Sequence, residues 1–163
     1  MNSYPNSDII TNIIYEDYPD AYANLIGSSV YPHIVGMVKF YQLKNKGILI
    51  KAEVFNLPAY TPAGIPAFYG FHIHENADCS DDFSKTGNHY NPKKQPHPYH
   101  AGDMPPLISE NGYAFMVFYA EHLKLSDVIG KSVIVHDHSD DFTSQPSGNS
   151  GNKIACGIIV YAD

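Results

Sequence analysis

An all-β sandwich or barrel is the fold this sequence predicts. Three observations lead there: many short segments alternate apolar with polar residues, Gly, Pro, Asn and Asp separate them, and helical periodicity is scarce. At 163 residues the chain is long enough for one domain with a sizeable core. The division expected is an N-terminal arm over 1–20 and a single domain over 21–163.

The arm is polar and carries several Tyr and Asn residues, with Ile13, Ile14 and Tyr15 as its candidates for order. Strands are expected over 23–25, 34–41 and 48–55. In the second, Val35, Met37, Lys39 and Tyr41 alternate with Ile34, Gly36, Val38 and Phe40; in the third, Leu49, Lys51, Glu53 and Phe55 alternate with Ile48, Ile50, Ala52 and Val54. Asn45-Lys46-Gly47 between them is a turn signal, which makes the pair a hairpin. A Pro-containing connector over 58–66 leads to the segment F-Y-G-F-H-I-H-E. There Tyr69, Phe71 and Ile73 should face a core while Gly70, His72 and His74 share the opposite face. Residues 76–106 show no sustained period and read as a long loop, and loops of that length in a compact domain are usually functional. Strands return over 113–119 and 132–136, with 123–130 between them as a helical turn or loop. A second long loop follows over 137–152, and 154–161 is a closing strand.

The formal charge is −7, with ten Lys and no Arg, which argues against a nucleic-acid partner because such a protein would show a basic face. No apolar run approaches the length of a membrane span. The opening residues lack a basic n-region and a continuous apolar h-region, so they do not read as a signal peptide. Cys79 and Cys156 are the only cysteines, and composition alone leaves them as core thiols, metal ligands or one disulfide.

Histidine placement carries the functional signal. Five of the nine histidines fall at 72, 74, 89, 97 and 100, and Asp103 closes the series. His97-x-x-His100-x-x-Asp103 offers three ligands from one loop segment and His89 a fourth; three imidazoles and a carboxylate suit tetrahedral zinc. His72 and His74 form a second set that needs another ligand, and His136 at the end of its strand is the candidate. Two histidines on a strand are more often part of a polar outer face than a metal site, but here five further ligand candidates accompany them. His33, His122 and His138 read as surface residues.

Five motifs stand out: G-F-H-I-H-E at 70–75, G-N-H-Y-N-P at 87–92, H-A-G-D-M-P-P-L at 100–107, V-I-V-H at 133–136 and Q-P-S-G-N-S-G-N-K-I-A-C-G at 145–157. In these the chain resembles the copper–zinc superoxide dismutase family, in its bacterial branch. The resemblance implies a flattened eight-stranded Greek-key β-barrel or sandwich of the immunoglobulin-like type, with two long functional loops. It implies a copper ion on His72, His74, His89 and His136 and a zinc ion on His89, His97, His100 and Asp103, so that His89 bridges the two. It further implies a Cys79–Cys156 disulfide and an Asp140 carboxylate that links His72 to His97. The activity implied is conversion of superoxide to dioxygen and hydrogen peroxide by copper redox cycling, with His89 and Lys153 as the catalytic residues. Lys153 stands where the family usually has an arginine, and an ammonium lacks the planar fork that fixes an anion's geometry. Weaker orientation of the substrate is expected. His97 and His100 are only three apart, so the zinc loop is shorter than is usual in the family. The resemblance allows a homodimer and favours an exported protein, periplasmic or extracellular with its leader removed, over a cytoplasmic one.

Other classes fit less well. A superoxide dismutase-like metal-binding domain without activity would lack a copper ligand, whereas His136 is intact. A copper-delivery protein needs an exposed donor motif such as C-x-x-C, and a blue-copper carrier needs a cysteine beside its histidines. Neither is present.

Overall fold

The structure, a computed structural model, describes residues 7–16, 18–44 and 47–163. Its strands are β1 (Ala21–Gly27), β2 (Val35–Gln42), β3 (Ile48–Phe55), β4 (Ala67–Tyr69), β5 (Phe71–His74), β6 (Leu107–Glu110), β7 (Tyr113–Ala120), β8 (Ser132–His136), β9 (Lys153–Ile158) and β10 (Val160–Tyr161). β4 and β5 are one run interrupted at Gly70, and β9 and β10 one run interrupted at Ile159. The expected eight strands are therefore present, two of them broken where they change neighbours.

All pairings are antiparallel, in the order β4-β6-β7-β3-β2-β1-β9-β8-β5, with β10 beside β1. The two ends of that order, β4 and β5, are joined through Gly70 alone, so the sheet curls round until its ends meet in the chain. At the crossing the Gly70 N–H donates to the His138 carbonyl (2.7 Å) and the His136 N–H donates to the Gly70 carbonyl (2.8 Å). A Cβ at position 70 would stand 2.8 Å from the Ser150 side chain, so the crossing needs bare backbone. Connections over 56–66 and 121–131 cross between distant strands, as a Greek key requires. The second contains a short helix, α2 (Leu125–Val128), in the stretch expected to be a helical turn or loop.

Alternation fills the barrel. Val38 and Phe40 of β2, Ile50 and Val54 of β3, Phe71 and Ile73 of β5, and Val133 and Val135 of β8 are all fully buried in one cluster. Each such side chain stabilises the fold by roughly 1.5–3 kcal/mol relative to exposure. β2 and β3 pair from Val35↔Phe55 to Gln42↔Ile48, which is the hairpin expected, although Asn45 and Lys46 of its turn lie outside the described residues.

Two elements depart from the sequence reading. The N-terminal arm contains an α-helix, α1 (Ser7–Glu16), where apolar Ile10 and Ile13 recur at helical spacing. β6 lies where no strand was expected, because its alternation runs against hydropathy: Ile108 is 54% exposed while Ser109 is 2% exposed. Four residues with one polar side chain turned inward give no period-two signal. Among the described residues no helix is long and apolar enough to cross a membrane.

Cys79 and Cys156 form a disulfide, which ties the first long loop to β9 and settles the three readings of the cysteines. Around it Phe83, Ile134 and Cys156 make a second small core. The closed loop has a sequence separation of 77. Replacing both cysteines by serine should lower stability in urea by about 4–5 kcal/mol at most, from the loop entropy restored to the unfolded chain. An unchanged midpoint would contradict that role.

Candidate metal centre

The site grows from one strand and the loops that pair with its edge. β5 is bonded on one side to β8, with His72 opposite Ile134 and His74 opposite Ser132. Its other edge is covered by loop backbone: Tyr90 N–H donates to Ile73 O and Ile73 N–H to Gly102 O, each at 2.8 Å. These bonds bring His89 and Asp103 beside the β5 histidines, with bridges at His74↔His89 and His72↔Asp103. Gly102 is required for the approach, since a Cβ there would lie 2.2 Å from the Ile73 carbonyl oxygen. His136 arrives from the end of β8 after a register shift between Val135 and His136.

Seven side chains form two donor clusters, His72/His74/His89/His136 and His89/His97/His100/Asp103, whose ligand atoms lie within 4.8 Å of one another in each. His89 belongs to both. These are the residues named from the sequence for the two metals, and either cluster could hold an ion.

Hydrogen bonding decides which ring atoms are free. His74 Nδ1 lies 2.9 Å from Gly87 O and His136 Nδ1 3.3 Å from Gly151 O. A carbonyl only accepts, so both Nδ1 atoms carry the proton and both Nε2 atoms are bare. These two Nε2 atoms face each other at 3.4 Å. His72 and His97 are fixed the other way round, each donating from Nε2 to Asp140, at 2.8 Å to Oδ2 and 2.8 Å to Oδ1 respectively. His72 Nδ1 and His89 Nε2 are buried without a hydrogen-bond partner, and His97 Nδ1 has only the Asp103 carboxylate beside it. An unpaired buried polar atom costs about 1–3 kcal/mol, and a cation removes that cost. Four imidazole nitrogens therefore converge in one cluster, a set that suits copper. In the other, Asp103 Oδ1 lies 2.7 Å from His89 Nδ1, and Oδ2 lies 3.1 Å from His97 Nδ1 and 3.3 Å from His100 Nδ1. Three nitrogens and a carboxylate suit tetrahedral zinc. The residues present fit the metals.

Asp140 rather than its neighbour Asp141 links the clusters; Asp141 accepts instead from the Thr143 and Ser144 N–H groups. Burial acts to raise the Asp140 carboxyl, but hydrogen bonds from His72, the Phe142 N–H and His97 outweigh it and hold it at about 2. Gly148 makes room for this carboxylate, as a Cβ there would stand 2.0 Å from Asp140 Oδ1 and its φ is +66°. Burial, reinforced by neighbouring imidazoles, lowers His74 to about 2 and His136 to about 3. Both rings are thus neutral and able to ligate near neutrality. His138 points away, its Nδ1 2.6 Å from Asp137 Oδ1, and His33 and His122 are exposed, so these three stay outside the clusters.

A cavity of about 440 Å³ opens onto His74, His89, His100 and His136, and Lys153 lies on its wall. Lys153 starts β9, opposite His136. Thr86, also near this wall, was not singled out from the sequence; one buried hydroxyl carries no motif.

Residues 34–159 match the family model described as copper/zinc superoxide dismutase (SODC). A superoxide dismutase [Cu-Zn] of Legionella pneumophila is 35% identical over 136 residues, covering 78% of this chain and 79% of that protein. The copper chaperone for superoxide dismutase of Rattus norvegicus is 33% identical over 140 residues; the match covers 78% of this chain but only 48% of the chaperone. Among solved structures, a double mutant of a SOD-like protein from Bacillus subtilis superposes with a TM-score of 0.74 at 29% identity, covering 85% of this chain and 96% of that one.

Replacing Asp140 by Asn should weaken metal binding at both clusters by ~10–100-fold, as measured by competition with a chelator, because one carboxylate orients a ring in each. Loss at neither cluster would contradict that link. In the metal-free protein, His74 and His136 titrate far below an unfolded histidine. Their contribution is complete above the unfolded value of about 6.5 and is lost as pH falls below it, by at most about 1.4 kcal/mol per histidine per pH unit. Urea midpoints of the metal-free chain should therefore drop between neutral and mildly acid pH, and the drop should shrink in His74→Gln.

Proposed function

Because the chain belongs to the copper/zinc superoxide dismutase family, we propose that it disproportionates superoxide, turning two superoxide anions and two protons into one dioxygen and one hydrogen peroxide. The observation that carries this reading is His89, whose bare Nε2 faces His72, His74 and His136 while its Nδ1 faces Asp103. His72 Nδ1 and the Nε2 atoms of His74, His89 and His136 would hold copper. The Nδ1 atoms of His89, His97 and His100 and the Asp103 carboxylate would hold zinc. Bound copper supplies the one-electron couple that oxidises one superoxide and reduces the next.

The protein's own contribution is positional and electrostatic. Asp140 holds His72 and His97 with their Nδ1 atoms aimed inward, and Gly87 and Gly151 carbonyls do the same for the Nε2 atoms of His74 and His136. His89 Nε2, when it is not engaged by an ion, would be the atom placed to take a proton from water in the cavity after the first superoxide is oxidised and to give it to the peroxide formed from the second. Lys153 attracts the anion into the cavity. The chain carries a formal charge of −7, so that attraction acts locally, within a screening length of about 10 Å at 0.1 M salt.

A second reading, a metal-binding domain without turnover, is kept because a copper chaperone and a SOD-like protein stand among the similar proteins. Four converging nitrogens beside an open cavity favour the enzyme. With copper and zinc bound, the protein should consume superoxide rapidly and more slowly as salt rises. His136→Ala should fall to the background of the metal-free protein while keeping its far-ultraviolet circular dichroism. Decay of superoxide at that background by the loaded wild type would overturn the proposal and leave the metal-binding domain.

A further inference from the structure

Lys153 is not a free ammonium. Its Nζ lies 2.7 Å from Thr86 Oγ1, 3.2 Å from Phe83 O and 3.4 Å from Gly87 O. An ammonium has three protons and no lone pair, so these three acceptors engage all of them. Thr86 Oγ1 is the shortest of the three, and its own proton goes to Phe83 O at 2.9 Å. That leaves the hydroxyl lone pairs for the lysine. The Thr86 side chain is fully buried, with Oγ1 3.5 Å from His74 Nδ1. Gly87 O, the longest contact, also accepts the His74 Nδ1 proton. The lysine's anchor and the tautomer of a copper-ligand candidate thus share one carbonyl.

We propose that Thr86 is a positioning residue that holds the Lys153 ammonium against the wall of the histidine cavity, so that the lysine acts on the substrate anion as a fixed charge. The proposal rests on the superoxide reading for the identity of the anion. It explains how a lysine can serve here. An ammonium on a flexible four-carbon stem has no built-in orientation, unlike a guanidinium fork, and a buried hydroxyl supplies the fixed direction that the stem lacks. Only the Gly87 contact, at 3.4 Å, is weak enough to exchange for an anion oxygen.

The test uses Thr86→Val, which keeps the side-chain shape and removes the acceptor, and Thr86→Ser, which keeps the hydroxyl. Two readouts are taken. The first is the rate at which an amine-acylating reagent labels Lys153 relative to exposed Lys124, mapped by mass spectrometry. The second is the affinity of the copper- and zinc-loaded protein for azide, and its salt dependence, followed by the copper absorption band. Thr86→Val should label Lys153 roughly tenfold faster and bind azide several-fold more weakly with a flatter salt response, because it loses a hydrogen bond to a charged group. Thr86→Ser should match wild type in both. Wild-type labelling of Lys153 in Thr86→Val overturns the inference, whether or not the protein consumes superoxide. A freed Lys153 with unaltered azide binding overturns it as well. A freed Lys153 in a protein that does not dismutate superoxide leaves the positioning role standing and removes the enzymatic reading instead.

Discussion

Two buried ring nitrogens without a protein partner, His72 Nδ1 and His89 Nε2, with His97 Nδ1 left only the Asp103 carboxylate at 3.1 Å, are the constraint on which this structure turns. Six imidazoles brought to one place, four of them in a single cluster, create lone pairs that cannot be satisfied by one another. A bound cation would relieve that cost. Much else in the fold serves to hold those nitrogens inward: a carboxylate on the outer nitrogens of His72 and His97, and carbonyls of Gly87 and Gly151 on those of His74 and His136. Each of these four rings is fixed by the hydrogen bond its far side makes.

The scaffold that brings these partners together is economical in its parts. β5 sends Phe71 and Ile73 into the barrel and His72 and His74 out of it, so one strand anchors core and site at once. Two loop segments pair with the edge of β5 that β8 does not use, and the disulfide fastens the first long loop to β9. The second long loop places Asp140 through a turn in which only a glycine at 148 leaves space. Loops that would otherwise be free to move are thereby held to a rigid wall, which fixes the two donor clusters relative to each other.

How far the sequence could be read follows from these physical roles. Alternation in F-Y-G-F-H-I-H was enough to put His72 and His74 on the face away from the core, and spacing was enough to group His97, His100 and Asp103. Ligand chemistry divided the seven ligands into two sets, but the sharing of His89 between them, and the choice of Asp140 over Asp141, came through resemblance to a family and not from periodicity. β6 was illegible because Ser109 faces inward and Ile108 outward, so hydropathy runs opposite to burial. Helix α1 was hidden in a stretch whose polar residues dominate its few isoleucines. The break of the metal strand at Gly70, where the chain passes from β6 to β8 as its neighbour, depends on a crowded contact with Ser150 that no local pattern encodes. Thr86 was invisible for the same reason, since its importance lies in a partner 67 residues away.

The shared histidine is the point on which the account stands or falls, and magnetic coupling between its two sides tests it most directly. Two paramagnetic ions joined by one imidazole ring couple strongly, whereas ions on separate ligands a few ångströms further apart do not. Copper should be bound at the His72/His74/His136 side and cobalt(II) at the His97/His100/Asp103 side, and the electron paramagnetic resonance of the copper recorded before and after cobalt is added. Loss or severe broadening of the copper signal on adding cobalt, and its retention in His89→Gln, is the result predicted. A copper signal that cobalt leaves unchanged in the wild type would contradict a bridging His89 and with it the two-metal centre.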